Sequence, residues 1–538
     1  MPGREVKRVA VIGGGCSGLA AIKSCVDEGL QPVCYERTDQ LGGLWNYTQH
    51  VREGQGCVMR STVINTSKEM MCYSDFPIPQ HYPNFMHNSQ VWQYFQDYAK
   101  HFDLNQHITY NTEVLLVKPA PDFDDTGRWN LKVLDHKSDE ESTETFDAVF
   151  VCTGHHAQKN EPSFPGLADF KGEVIHSHDY REPSRFMDKR MLIIGIGNSG
   201  GDMAVELSRQ GQVFLSTRRG TWVLNRIGPK GLPGDIVLTR RTTNVLMNLL
   251  PMSVINYIAK GHLEQKLDHN LYGLAAEFPP LAQHPLSNED LANRIICGKV
   301  KVKTDVKRFT ATGVEFVDGT FEDNIDAVFL ATGYRFGFPF MDKSVVDVKE
   351  NRLPFYKYMF PPDQKHHTLA IIGCIQPLGA IMPIAELQCR LAARVFKGDV
   401  KLPSASEMWE DIQAKEAAMA KRYVKSPRHT IQVDYVSFMD ELAELNGCKP
   451  DIVALFKKDP TLALQVFFGP CTPYQYRLTG PGQWQGARQA ILTTMDRVRY
   501  PLATRPVPPP PGKFGLQRIV VWLVALVILW FLLQAIFA

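Results

Sequence analysis

Two short stretches of this chain carry residue types suited to holding phosphate. Gly13-Gly14-Gly15-Cys16-Ser17-Gly18 and Gly195-Ile196-Gly197-Asn198-Ser199-Gly200 both spell G-x-G-x-x-G. In that pattern the first glycine makes a tight turn and the second lets the backbone approach a pyrophosphate. The third lets a helix pack closely on a strand. One such run is weak evidence, because glycine-rich turns are common; two imply two dinucleotides on one chain. The residues downstream tell them apart. Pro32 to Arg37 reads as a strand carrying Glu36. An acid there accepts hydrogen bonds from a ribose hydroxyl and repels a 2′-phosphate, which fits FAD or NAD. Val213 to Arg219 ends in Arg218 and Arg219. Paired charged hydrogen bonds from arginine grip a 2′-phosphate, which fits NADPH. Leu41-Gly42-Gly43-Leu44-Trp45 adds paired glycines where a bulky ring system can approach the backbone.

These residues need strands and helices to place them. The glycine runs follow Val9 to Ile12 and Met191 to Ile194, and each must open a helix whose free N–H groups receive a pyrophosphate. Residues 5–155 alternate strand-like and helix-like patterns, and 165–330 repeat that organisation around the second run. Residues 226–290 break it, with a helix-like stretch from Asn244 to Leu267 and the proline-rich Phe278-Pro279-Pro280-Leu281. This insertion either roofs a substrate passage or is a packing appendage. Two strands end alike, in Thr153-Gly154 and Thr332-Gly333, and are expected to return the chain to the first domain before and after an inserted one. Thr368 to Gly373 reads as another buried strand, Gln376 to Gly379 as a turn, Ile381 to Lys397 as a helix, and 404–500 as helical.

The fold expected is α/β: two Rossmann-like dinucleotide-binding domains, a helical insertion and a C-terminal membrane-anchoring helix. The FAD domain would occupy 1–160 and 331–445, and the NADPH domain 161–330. A helical region and Pro-rich linker would follow over 446–512, and the anchor over 513–538.

At 538 residues the chain exceeds one simple core. Hydrophobic content of 44% and charge of 22% are globular values. A net charge of +2 without a basic block excludes a nucleic-acid binder. The 11 cysteines are scattered with no C-x-x-C pair, which fits reduced thiols facing the cytosol and disfavours a disulfide reductase. The sequons at Asn46 and Asn65 are silent in such a protein. Ile519 to Phe537 carries no charge and is about one bilayer core long. Arg499, Arg505, Lys513 and Arg518 precede it and nothing basic follows, so the body is expected on the cytosolic side. No ligand set for a metal stands out, and a homo-oligomer remains open.

With these residues in place, the chain resembles the flavin-containing monooxygenases over essentially its whole length. The family's identifying pattern, F-x-G-x-x-x-H-x-x-x-[YF], stands at Phe170, Gly172, His176 and Tyr180, between the two glycine runs. Asn65-Thr66-Ser67-Lys68-Glu69-Met70, Phe329 to Tyr334 and the apolar tail match as well. The loop His155 to Gly166 is shorter than the family's usual one. Ile196 to Asp202, Gln283-His284-Pro285 and Gly469 to Pro473 resemble one vertebrate branch in particular. His284 stands where other members usually carry glutamate.

The resemblance implies FAD on Gly13, Gly14, Gly15, Cys16, Ser17 and Gly18, with Glu36 on its ribose. Gly43, Leu44, Trp45 and Gln376 would line the flavin. NADPH would lie on Gly195, Gly197, Asn198, Ser199, Gly200, Gly201 and Asp202, with Arg218 on its 2′-phosphate. Asn65, flanked by Ile64 and Thr66, would face both cofactors near the reacting oxygen. Phe170 and Gly172 would be packing and turn positions, and His176 a structural histidine before a general base. The implied activity is NADPH- and O2-dependent oxygenation through a C4a-(hydro)peroxyflavin at the endoplasmic reticulum membrane. Its substrates would be small lipophilic compounds, oxidised at nitrogen or sulfur or by Baeyer–Villiger insertion beside a carbonyl. His284 and the branch-like details lean to the carbonyl chemistry. An H2O2-forming NADPH oxidase and a non-turnover, membrane-tethered redox sensor remain as alternatives.

Overall fold

The computed structural model describes residues 8–426 and 429–507. The expected anchor, Ile519 to Phe537, lies outside the described residues. Among the described residues no helix is long and apolar enough to cross a membrane.

Two five-stranded parallel sheets organise the chain. The first runs in space Leu369–Ile371, Ala148–Val151, Arg8–Ile12, Gln31–Glu36, Ile108–Tyr110. The second runs Val300–Lys303, Gln212–Ser216, Arg190–Ile194, Ala327–Leu330, Glu173–His176. The central strands read as continuous apolar runs because helices and loops cover both faces. Val9, Ala10 and Val11 in one, and Met191, Leu192 and Ile193 in the other, are fully buried. A helix follows each central strand, Cys16–Asp27 and Asn198–Leu207. The helix Ile381–Lys397, where the sequence placed one, packs along Cys16–Asp27.

Three expectations change. The stretch Gln376 to Gly379, read as a turn, holds a strand, Gln376–Leu378, paired parallel with Gln432–Asp434. The strand Ala327–Leu330, just before Thr332-Gly333, lies in the second sheet beside Arg190–Ile194. The chain re-enters the first sheet only at Leu369–Ile371. The stretch from Asn244 to Leu267 is two helices, Arg241–Leu249 and Met252–Glu264. Pro251 separates them, since it lacks the N–H that a continuous helix would use there. The first unit is also less regular than expected: much of 37–87 is turns, and an antiparallel meander of Thr112–Pro119, Trp129–Asp135 and Glu140–Phe146 follows.

The two chain crossings between the sheets lie side by side. Gln158–Lys159 pairs antiparallel with Tyr334–Arg335. Asn160 closes the pair: its backbone N–H donates to the Gly333 carbonyl (3.0 Å) and its side-chain amide to the Thr332 carbonyl (3.1 Å).

Candidate functional site

The two glycine runs adopt the same local geometry. Gly13 has φ +100° and Gly195 φ +107°. Each donates its N–H to the neighbouring strand, Gly13 to Tyr35 (2.9 Å) and Gly195 to Ser216 (3.0 Å). A Cβ on Gly13 would stand 2.9 Å from the Cys152 carbonyl oxygen, and one on Gly195 2.5 Å from that of Ala331. The first glycine of each run therefore rests on the strand that ends in Thr-Gly.

The second glycines differ in kind. Gly197 has nothing within 4 Å of an added Cβ, and Gly15 meets only Gly43 at ordinary contact distance. Neither has a left-handed backbone, with φ near −80°. No protein atom requires glycine at 197, so the open space over it fits a ligand that approaches the backbone. The helices beginning after Gly15 and Gly197 have no side-chain cap. Their first N–H groups are free for a pyrophosphate.

Glu36 is buried and fixed by its own loop. One carboxylate oxygen accepts the Gly14 N–H (2.7 Å), and the other accepts from the Thr38 N–H (2.9 Å) and hydroxyl (2.8 Å). A carboxylate has about four lone-pair sites, so capacity remains for a ribose hydroxyl. Gly42 donates to the Gly14 carbonyl (2.9 Å), and Gly43 lies against Gly15. That contact brings the turn of Leu44 and Trp45 to the first glycine run. From the other side, Gly373 crowds the Ser17 hydroxyl, a Cβ there standing 2.6 Å away. Gln376 follows, its N–H bound to the Ile431 carbonyl (2.7 Å).

On the second sheet the register refines one expectation. Ile12 pairs with Tyr35, and Ile194 with Ser216. Thr217 is thus the counterpart of Glu36, and Arg218 lies one residue beyond the acid's position. The second site gains a neutral residue where the first has a carboxylate, with exposed Arg218 and Arg219 next to it. Asn198 and Asp202 already have protein partners. The Asn198 side-chain oxygen accepts the Ser287 N–H (3.0 Å), and Asp202 accepts from the Asn288 amide (2.9 Å). Leu286 crowds position 201, where a Cβ would stand 2.6 Å from its Cδ1. Burial raises the Asp202 carboxyl to about 6.

Asn65 is half-buried, and its side-chain oxygen is buried with no hydrogen-bond partner. A buried acceptor left unpaired is costly, so this one suits a donor on a bound group. The segment around it is firmly held. Ile64 donates to the Met86 carbonyl (2.9 Å), and Lys68 donates to the carbonyls of Gln80 (2.6 Å) and Tyr82 (2.8 Å). Glu69 accepts from the Tyr474 hydroxyl (2.9 Å) and Arg497 (3.0 Å).

The identifying pattern acts mainly through packing. Phe170 lies in a buried cluster with Leu192, Phe214 and Phe309, and a Cβ on Gly172 would stand 2.6 Å from the Phe170 ring. His176 accepts the His178 N–H at Nδ1 (3.0 Å), while its Nε2 is buried without a partner.

Sequence reasoning missed a ring cluster that this pattern helps to build. The rings of His155 and His156 lie with centroids 4.1 Å apart, tilted at 54°, and Tyr334 lies 5.3 Å from His156 and 5.6 Å from His176. Burial holds His155 neutral far below the usual imidazole range. Desolvation first, then nearby His284, pulls His156 down to about 4. Burial also lowers His284, against the opposing pull of the Pro285 and Pro377 carbonyls. That second carbonyl sets His284 beside the strand Gln376–Leu378. Arg181 was missed too: it is buried, with Nε and Nη2 unpaired.

Comparisons with known proteins agree with this geometry. Residues 6–537 match the family described as Flavin-binding monooxygenase-like. Flavin-containing monooxygenase 5 of Cavia porcellus is 55% identical over 502 residues, covering 93% of this chain and 94% of the relative. Dimethylaniline monooxygenase [N-oxide-forming] 2 of Rattus norvegicus is 48% identical over 503 residues, with the same coverage. Among solved structures, S-allyl-L-cysteine S-oxygenase from Allium sativum superposes with a TM-score of 0.62 at 23% identity, covering 85% of this chain and 94% of that one, a likeness of fold. Two dinucleotide cradles on paired parallel sheets, and this kinship over nearly the whole chain, have one reading: the chain belongs to the flavin-binding monooxygenase-like family and is a monooxygenase that uses FAD and NADPH.

Proposed function

We propose that this monooxygenase inserts oxygen beside the carbonyl of small lipophilic compounds, a Baeyer–Villiger oxidation. N- and S-oxygenation of similar molecules stands as its second activity. The observation that carries the reading is His284: a neutral imidazole set against the strand Gln376–Leu378. A carboxylate at that position would oppose negative charge on the reacting oxygen, and a carbonyl substrate needs that oxygen nucleophilic. A relative named as N-oxide-forming supports the second activity.

In this reading FAD lies on Gly13, Gly14, Gly15, Cys16, Ser17 and Gly18, with Glu36 on its ribose and Gly43, Leu44, Trp45 and Gln376 along the flavin. NADPH lies on Gly195, Gly197, Asn198, Ser199, Gly200, Gly201 and Asp202, with Arg218 on its 2′-phosphate. When bound, FAD supplies oxygen activation and NADPH the hydride. The chain's own task is placement. Free helix N–H groups hold the pyrophosphates, and Ile64 and Thr66 carry Asn65 between them. The Asn65 amide both donates and accepts a hydrogen bond, which suits it to hold a reacting oxygen. The domain division supporting this is 1–160 with 331–445 for FAD and 161–330 for NADPH, consistent with the strands each sheet recruits.

The test is product analysis under 18O2 with NADPH, using a methyl ketone, a thioether and a tertiary amine. Labelled ester from the ketone is expected, and His284→Glu should lower ester more than sulfoxide. Heteroatom products without ester would install the second activity as the main one. H2O2 alone would make the protein an oxidase. Asn65→Ala should abolish product while both cofactors still bind; unaltered product yield removes Asn65 from the site.

We also propose that Ile519 to Phe537 anchors the protein in the endoplasmic reticulum membrane, body facing the cytosol. The family match extends through this segment. The insertion helices also expose Leu246, Leu249, Tyr257 and Ile258, a surface suited to lipid. Release into the supernatant by alkaline carbonate would refute the anchor.

A further inference from the structure

The insertion reaches the candidate active site through one carboxylate. Asp235 lies on the short helix Gly234–Leu238. One of its oxygens accepts the N–H of its neighbour Ile236 (2.8 Å). The other accepts the backbone N–H of Ser67 at 2.6 Å, from a residue 168 positions away. Ser67 stands two residues after Asn65 and begins the helix Lys68–Met71 without a side-chain cap of its own. We propose that Asp235 is a positioning residue for oxygen transfer: it fixes the backbone that carries Asn65, making the insertion part of the active site.

Three observations separate this role from general packing. The insertion is already secured without Asp235. Ile236 is fully buried in the core of the first sheet, and Arg241 binds Asp440 (2.6 Å) and Gln475 (2.9 Å). Asp235 has no cationic partner among the described residues, so its carboxylate serves as a hydrogen-bond acceptor. Burial raises its pKa, and the N–H groups of Ser67 and Ile236 oppose that rise. Finally, the rest of the 64–71 segment is tied to other regions, Lys68 to the 80–82 turn and Glu69 to Arg497. Only Asp235 joins it to the insertion among the hydrogen bonds of the described residues. Loss of the Asp235 bond should loosen residues 65–67, which lie between the Ile64 bond to Met86 and the Lys68 bonds to the 80–82 turn, while both of those ends stay in place. A displacement of about 1 Å near reacting atoms costs on the order of a hundredfold in rate.

This inference rests on Asn65 acting at the reacting oxygen. The test uses the full-length FAD-loaded enzyme. Asp235→Ala should reduce oxygenated product per NADPH consumed by about tenfold or more, with H2O2 making up the difference. FAD content and the Kd for NADPH should change less than about twofold. Asp235→Asn keeps a carbonyl oxygen for Ser67 and should restore most of the coupling. Hydrogen exchange gives a readout apart from turnover: the peptide covering 64–71 should exchange faster in Asp235→Ala, and much less so in Asp235→Asn. Ser67 has φ −69°, which proline accepts. Ser67→Pro therefore removes the donor, and its Cδ also pushes aside the Asp235 carboxylate that stood 2.6 Å from that nitrogen, so it breaks the same bond from the other side. The Ser67→Pro, Asp235→Ala double variant should be no more uncoupled than either single one. Additive losses, or unaltered coupling and exchange in Asp235→Ala, overturn the proposal. Should Asp235→Ala fail to fold, the Asp235→Asn and Ser67→Pro comparison decides. Full coupling in Asn65→Ala would remove the reading beneath this inference. Uncoupled Asn65→Ala beside fully coupled Asp235→Ala overturns the inference and leaves that reading intact.

Discussion

A methyl group on Gly200 would stand 2.0 Å from the carbonyl oxygen of Gly195, as one on Gly18 would stand 1.9 Å from that of Gly13. Both neighbours are backbone in the turn just past a strand, tied by their own N–H groups to Tyr35 and Ser216, so neither can yield cheaply. Gly200→Ala is expected to destabilise by at least about 1–3 kcal/mol, seen as a lowered thermal midpoint. Gly197→Ala makes the opposite prediction. Its Cβ meets no protein atom, so stability should hold within about 0.5 kcal/mol while NADPH binds less tightly. Equal loss of stability in both variants would contradict the cradle.

Arg218 is exposed, beside Thr217 rather than an acid. Arg218→Ala should remove a charged hydrogen bond worth about 1.5–3 kcal/mol, which is roughly a tenfold or greater rise in the Kd for NADPH. NADH should be little affected. An unchanged ratio of the two affinities would deny Arg218 its contact with the 2′-phosphate.

Glu386 and Arg477 form a buried pair at 2.7 Å. Glu386 also takes the Ser74 N–H (2.7 Å) and hydroxyl (2.6 Å), and Asp75 bridges Arg477 and Lys23, each at 2.9 Å. Removing one member strands a charge in the interior. Glu386→Ala should therefore cost about 3–5 kcal/mol in denaturant unfolding. Glu182→Ala breaks the exposed pair with Arg60 and should cost no more than about 1 kcal/mol. Similar losses in the two would show that burial does not govern these pairs.

His155 supplies a pH signature. Burial first, and His156 second, hold its folded pKa far below the unfolded value of about 6.5. The unfolded chain binds the extra proton as pH falls below that value, while the folded chain does not. Stability is therefore fully present above about pH 6.5 and declines as pH falls below it. His155→Gln should flatten the thermal midpoint between pH 6.5 and 5 relative to the wild type. An identical slope would place the titration elsewhere.

The parts legible in the sequence are those where one short segment carries the whole physical requirement. The glycine runs, Glu36 and the helix Ile381–Lys397 declare themselves by local spacing. The strand Gln376–Leu378 did not, because Gln-Pro-Leu-Gly reads locally as a turn. Its partner is set by a distant segment, Gln432–Asp434. The position of Arg218 relative to Glu36 needed the pairing register, which no count along the chain supplies. Pro251 marked a helix break that the apolar pattern on either side obscured. Asp235 was invisible for a plainer reason: an aspartate on a short helix is ordinary until Ser67 is folded against it.

Gly154 and Gly333, with φ of +72° and +85°, stand where the chain leaves one sheet and returns from the other. The crossings are joined by Gln158–Lys159 with Tyr334–Arg335 and by the bonds of Asn160. Mechanically, the two cofactor sheets are connected by a flat double strap instead of two independent tethers. Joined in this way, the two crossings move together rather than as separate linkers.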